Sequence, residues 1–190
     1  MPAYAPPPDP GRWTVEMLDT IPADGNRYEI IDGDLYVTPA PSPTHQRACA
    51  ELYMALRTYI DLHGIGELFF SPIDVEFAPD TMVEPDLVLF PPPSGPLPPR
   101  FRGSDAALLA IEVLSPSTAR SDRQEKRALY QRERVPEYWI VDLDARIVER
   151  WRPSDARPEI LVEDLTWLPS GAPEPFVMML PEYFARVWGE

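Results

Sequence analysis

Two carboxylates set the tightest constraint on this chain, because each stands in or against a run of apolar residues. Asp86 immediately precedes Leu87-Val88-Leu89-Phe90, and Glu112 lies inside Leu108-Leu109-Ala110-Ile111-Glu112-Val113-Leu114. Continuous apolar runs of this length read as strands covered on both faces. A charge carried into such a place is costly unless it is paired. Two acids on neighbouring strands repel each other unless one is protonated or a cation stands between them. The pair points to a metal site, and the rest of the chain reads as its scaffold. A structural alternative stays open, in which Asp86 caps a turn and Glu112 pairs with an arginine such as Arg100 or Arg120.

The scaffold follows from local pattern. Residues 1–12 hold five prolines and little to bury, which predicts a flexible lead-in before one domain over 13–190. Thr14 is placed to cap a short helix, Val15–Thr20, that ends near Pro22. Arg27–Ile31 and Asp34–Thr38 alternate around Asp32-Gly33, the signal for an amino-terminal β-hairpin. A helix opening at Thr44 or His45 runs to about His63, with Cys49, Leu52, Leu56, Tyr59 and Ile60 on one face and Gly64 and Gly66 as its stop. Glu67–Phe77 and Met82–Phe90 read as two strands, with Asp74 and Glu76 on the polar face of the first. Residues 91–104 read as a proline-dense loop.

Ala107–Leu114 is the most apolar strand and so the centre of the sheet. Ser121 and Gln124 suggest a capping box for a helix to about Arg134, on which Asp122, Lys126 and Tyr130 share a face. Strands over Glu137–Asp142, Ile147–Trp151 and Ile160–Leu165 follow. A short helix, Pro181–Val187, closes the chain, with Tyr183, Phe184 and Trp188 as core anchors. The helix, three strands, helix, strand order predicts an α/β (α+β) fold with a central mixed sheet flanked by helices.

Charge and cysteine usage narrow the function. The formal charge of -14 opposes binding a polyanion through the surface as a whole. Residues 100–134 run the other way: eight arginine and lysine residues against five acids leave +3, which fits either a local basic face or an Arg/Glu-laced solvated helix. The single Cys49 excludes an internal disulfide framework. With no basic start leading into an apolar stretch and no run of membrane-spanning length, the reading is cytoplasmic. No nucleotide-binding glycine loop, paired zinc cysteines or serine elbow is present, and two histidines are too few for a histidine-rich metal site.

Lysine usage is sharper. Of the 17 basic residues, Lys126 alone is a lysine. Arginine is a permanently charged planar fork, whereas lysine is a compact point charge whose proton affinity responds to its surroundings. Keeping one ammonium on a helix that follows the Glu112 strand makes that position a candidate for chemistry, with chance survival of one surface lysine as the alternative.

Four ordered blocks also resemble a known family. Val83-Glu84-Pro85-Asp86-Leu87-Val88, then Ala110-Ile111-Glu112-Val113-Leu114-Ser115-Pro116-Ser117-Thr118, then Asp122, Lys126 and Tyr130, then Val135-Pro136-Glu137-Tyr138-Trp139-Ile140-Val141-Asp142 are similar to the Uma2 family of the PD-(D/E)XK nuclease superfamily. The likeness extends upstream to Tyr28-Glu29-Ile30-Ile31-Asp32-Gly33 and His45, and so covers roughly residues 13–188. It implies a restriction-endonuclease-like core and hydrolysis of DNA phosphodiesters with Mg²⁺, or Mn²⁺ as substitute. It also implies Asp86 and Glu112 as metal ligands, helped by the backbone carbonyl of Val113, with Lys126 orienting or deprotonating water or neutralising charge. Glu29 becomes a further ligand or water-orienting acid, and His45 a residue touching phosphate. One departure stands out: Leu114 occupies the place where the superfamily's lysine usually stands, so that role falls to Lys126.

Two functions therefore compete. One is a Mg²⁺-dependent endonuclease whose DNA contact is confined to one face or completed by a homodimer partner. The other is a catalytically inactive nuclease-like domain that binds nucleic acid or a protein partner. A structural module using the proline-rich loop is a third reading.

Overall fold

The apolar runs that bracket the two acids lie side by side. In a computed structural model describing residues 12–21, 24–98, 100–102 and 106–190, β6 (Leu87–Phe90) pairs antiparallel with β8 (Leu109–Val113), Leu87 opposite Ile111. On its other side β8 pairs in parallel with β9 (Glu137–Asp142), Glu112 opposite Ile140. A parallel step needs a crossover, supplied here by the helical segment that carries Lys126. With β3 (Glu67–Phe70) at one edge and β10 (Ile147–Trp151) and β11 (Glu159–Leu161) at the other, the order is β11-β10-β9-β8-β6-β3. The expected central mixed sheet is present, with Ala107–Leu114 at its heart.

Side-chain parity sorts this sheet into two covered faces. Leu87, Leu89, Leu109, Ile111, Val113, Trp139 and Val141 pack under helix α2 (Pro43–His63) and α5 (Leu180–Trp188). Val88, Phe90, Ala110, Tyr138 and Ile140 face the other way, toward Leu129, Tyr130 and Val135. Glu112 shares the parity of Ala110, which turns it toward the crossover helix. Ser42 starts α2 by accepting a hydrogen bond from the His45 N–H, Pro43 fits the first turn, and Gly64 at φ 61° ends it. The cap thus falls at Ser42 rather than at Thr44 or His45.

A second sheet, β2-β1-β5-β4-β7, holds the expected hairpin β1 (Arg27–Ile31) and β2 (Asp34–Thr38). Its other strands are β4 (Val75–Ala78), β5 (Thr81–Val83) and β7 (Phe101–Arg102). Here the structure corrects the sequence reading. Glu67–Phe77 and Met82–Phe90 are each two strands in different sheets, broken at Ser71-Pro72 and at Glu84-Pro85-Asp86. Proline lacks the N–H a central ladder needs, so each break falls at a proline. The chain leaves one sheet for the other at Asp86, which puts that acid at the seam.

Further corrections are local. Thr14 makes no side-chain cap, and α1 spans Val15–Leu18; its end at Pro22, like the lead-in at 1–11, lies outside the described residues. Ile160–Leu165 divides between β11 and β12 (Asp164–Trp167), and β12 pairs with β13 (Phe176–Met179). Tyr183 and Phe184 are core residues, but Trp188 is 41 % exposed. No helix among the described residues is long and apolar enough to cross a membrane.

The crossover holds one irregularity. It begins as α3 (Ala119–Ser121), widens to π geometry over Asp122–Lys126, and resumes as α4 (Arg127–Arg132). Ser121 and Gln124 form no capping box; the Ser121 hydroxyl donates to the Thr118 carbonyl instead. Single π turns inside helices occur mainly where a side chain has to be re-aimed.

Candidate metal centre and its cleft

Asp86 sits where three elements converge. Its Oδ2 accepts from the Val113 backbone N–H at 2.8 Å and lies 3.1 Å from His45 Nε2, while Oδ1 accepts from Arg27 at 3.0 Å. His45 Nε2 is also 2.9 Å from the Val113 carbonyl oxygen. A carbonyl only accepts, so Nε2 carries a proton shared between Val113 and Asp86. The other ring nitrogen, Nδ1, stands 3.6 Å from the Cys49 sulfur one helical turn on. Cys49, His45 and Asp86 each offer a ligand atom within 4.8 Å of the others.

Lys126 occupies the interior side. Its Nζ is 2.9 Å from Glu112 Oε1, 2.8 Å from Glu29 Oε1 and 3.6 Å from Asp122 Oδ1. Glu29 Oε1 also accepts the Glu84 backbone N–H at 2.7 Å, and the Tyr130 hydroxyl is 3.5 Å from Glu112. All four charged side chains are 1–2 % exposed. Neither Asp122 oxygen makes a hydrogen bond of ordinary geometry. The arginine partners expected under the structural alternative are engaged elsewhere: Arg100 meets Asp19, Asp74 and Glu76, and Arg120 meets Gln124.

If all four carboxylates were ionised, Glu29, Asp86, Glu112 and Asp122 would outnumber Lys126 and Arg27, the permanent cations paired with them among the described residues; burial favours the protonated forms of Glu112 and Asp122 instead. Burial pushes Asp86 up, but the hydrogen bond from His45, the Arg27 guanidinium and the Val113 N–H outweigh it and hold Asp86 at about 2. Burial lifts Glu112 well above the usual carboxylate range, against Lys126 and with Asp122, Asp86 and Glu29 adding to the rise. Asp122 is raised by burial to about 6, despite Lys126. Lys126 would lose its proton to burial alone, yet Glu112, Glu29 and Asp122 keep it charged. Burial likewise raises the Cys49 thiol well above its ordinary range, helped by Asp86 and Glu112. A divalent cation beside these acids would favour their ionised forms, and carboxylate and carbonyl donors are of the kind that suits a hard ion.

A cleft of about 1010 Å³ opens onto this centre. Arg27, His45, Cys49 and Asp86 line it, together with Ser115, Ser117, Arg123, Phe70 and Trp188. Glu112, Lys126 and Glu29 stand behind that wall. Acids Glu84, Asp142 and Asp144 share the lining, and Arg123 is tied to Asp142 and Glu149 at 2.7 Å each. The basic stretch at 100–134 is therefore no free cationic face: Arg132 pairs with Asp32, and Arg127 lies over the Trp151 ring.

The structure brings Asp86, His45 and the Val113 carbonyl into one group and Glu112, Lys126 and Glu29 into another, and the consecutive β8 residues Glu112 and Val113 join the two. Sequence reasoning missed Arg27 and the part played by Cys49. Both had signals: Arg27 stands two residues before Glu29 on one strand, and Cys49 four residues after His45 on one helix.

Comparison with known proteins bears on the fold and the family. The crystal structure titled a putative nuclease belonging to DUF820 from Anabaena variabilis ATCC 29413 superposes with a TM-score of 0.78 at 21% identity, covering 92% of this chain and 99% of that one. That likeness carries the fold. No curated protein matches the sequence. The Uma2 family, described as "Putative restriction endonuclease", matches residues 15–175. This chain belongs to the Uma2 family.

Proposed function

We propose that the protein is a Mg²⁺-dependent endonuclease hydrolysing DNA phosphodiester bonds, with Mn²⁺ as an alternative ion. Asp86, Glu112 and the Val113 carbonyl are the proposed ligands. The observation that carries this reading is the crowding of buried acids: Glu112, Glu29 and Asp122 share one ammonium behind Asp86, and burial raises Glu112 and Asp122, which a divalent ion would favour in their ionised forms. Mg²⁺ held there would supply Lewis-acid neutralisation of the phosphate, which the acidic cleft itself lacks.

The chain's own groups divide the remaining work. Lys126 is held as an ammonium by its three acids, which supports a role in neutralising developing charge rather than as a base. Glu29 helps to fix the ammonium, since its Oε1 is itself held by the Glu84 N–H. His45 lines the cleft and would donate to a phosphate oxygen once released from Val113. Phe70, 58 % exposed, and Trp188 offer rings against which unstacked bases can lie.

One observation favours the second reading, a catalytically inactive nuclease-like domain. Arg27, His45 and the Val113 N–H already satisfy both oxygens of Asp86. Calorimetric titration of Mg²⁺ and Mn²⁺ separates the two. Binding by the native chain that Asp86→Asn and Glu112→Gln each abolish is the expected result. No binding by a folded native chain would leave the inactive domain.

A further inference from the structure

The solvent side of Asp86 and its interior side differ in chemistry. Toward the interior stand oxygen donors and Lys126. Toward the cleft stand an imidazole and a thiol: His45 and Cys49 both line the opening, as does Asp86 itself. An ion entering from solution meets these three side chains before it reaches Glu112.

We propose that His45, Cys49 and Asp86 form a separate site for a thiophilic divalent ion of the Zn²⁺ or Co²⁺ type, distinct in ligands from the Mg²⁺ site although it shares Asp86. One donor atom from each residue lies within 4.8 Å of the other two, and His45 can give one ring nitrogen, Nε2 at 3.1 Å from Asp86 or Nδ1 at 3.6 Å from the Cys49 sulfur. Bonds of roughly 2.0–2.3 Å to N, O and S put neighbouring ligands of a tetrahedral ion about 3.3–3.7 Å apart, so no pair of donors has to close by more than about 1.5 Å. His45 and Cys49 are one turn apart on α2, a 21-residue helix with both ends capped, which holds the pair on one face. Nitrogen and sulfur donors select late transition ions, whereas Mg²⁺ takes oxygen ligands and keeps its water. The thiol proton leaves to solvent as the ion binds. Because one carboxylate serves both ions, occupancy here withdraws Asp86 from the pair with Glu112, and Zn²⁺ opposes Mg²⁺.

Cobalt reads this out without any activity assay. Cys49 is the sole cysteine, so a thiolate-to-cobalt charge-transfer band in the native chain can arise only there. Added Co²⁺ should give that band; stoichiometric Zn²⁺ should erase it, and a large excess of Mg²⁺ should not. Cys49→Ser should remove the band, and Cys49→Ser and His45→Ala should each weaken Co²⁺ binding by at least about 100-fold, since outer-shell changes alone cost about 10–100-fold. Glu112→Gln should leave the band in place, so loss of the Mg²⁺ site and loss of this one are told apart. Co²⁺ binding without the band, a band that Mg²⁺ displaces, or no Co²⁺ binding by the folded native chain would each overturn the proposal.

Discussion

Asp122→Asn should make the ion-free protein more stable at neutral and alkaline pH. Asp122 is buried and unpartnered by hydrogen bonds, with Lys126 Nζ no nearer than 3.6 Å. Burial raises its carboxyl from 3.8 to about 6. A raised acid contributes stability that is fully present below its unfolded value and is lost as pH climbs through the folded value. About two units correspond to about 3 kcal/mol. Asparagine keeps the shape and removes the charge, but takes one acidic neighbour from Lys126. A net gain of about 1–2 kcal/mol near pH 8 follows. Below about pH 4 the advantage should vanish, because Asp122 is then protonated whether folded or not. Urea denaturation followed by circular dichroism, with chelator present and pH stepped between these limits, measures both. A variant less stable than the native chain near pH 8, or a difference that does not change with pH, would refute the reasoning.

The same cluster sets the other expectations. Lys126→Met strands Glu29 and Glu112 without their shared cation and should cost about 3–5 kcal/mol, the usual penalty for breaking a buried pair. Adding Glu112→Gln to it should return part of that loss in the same urea titration. Asp86 works in the opposite direction to Asp122. Its lowered value of about 2 means stability present above 3.8 that is lost as pH falls toward 2. Asp86→Asn should flatten that acid limb, and an unchanged limb would show that the Arg27 and His45 contacts do not matter to folding.

The sequence was most informative where burial and chemistry conflict. Asp86 and Glu112 could be read as partners because a charge beside a buried strand needs a compensating group. Their adjacency, the hairpin at Asp32-Gly33 and the shared face of Asp122, Lys126 and Tyr130 follow from periods of two and four. Sheet membership did not follow. Pro72 and Pro85 each look like interruptions within a strand, whereas the chain changes sheet there. The π turn was equally hidden, since Ser121 and Gln124 fit an ordinary capping box and helix widening leaves no compositional trace. The basic face failed for a different reason. A count over residues 100–134 sees only local acids, while Asp19, Asp32, Asp142 and Glu149 reach those arginines from distant segments.

DNA cleavage decides whether Asp86, Glu112 and Lys126 form a nuclease site. Native chain and the Asp86→Ala and Lys126→Ala variants, each shown to be folded, are incubated with duplex, single-stranded and branched DNA in Mg²⁺ or Mn²⁺. The account predicts cutting by the native chain that chelator stops and that both substitutions abolish. Cutting that survives in either variant, or no cutting of any substrate by a native chain that binds neither ion, would contradict it.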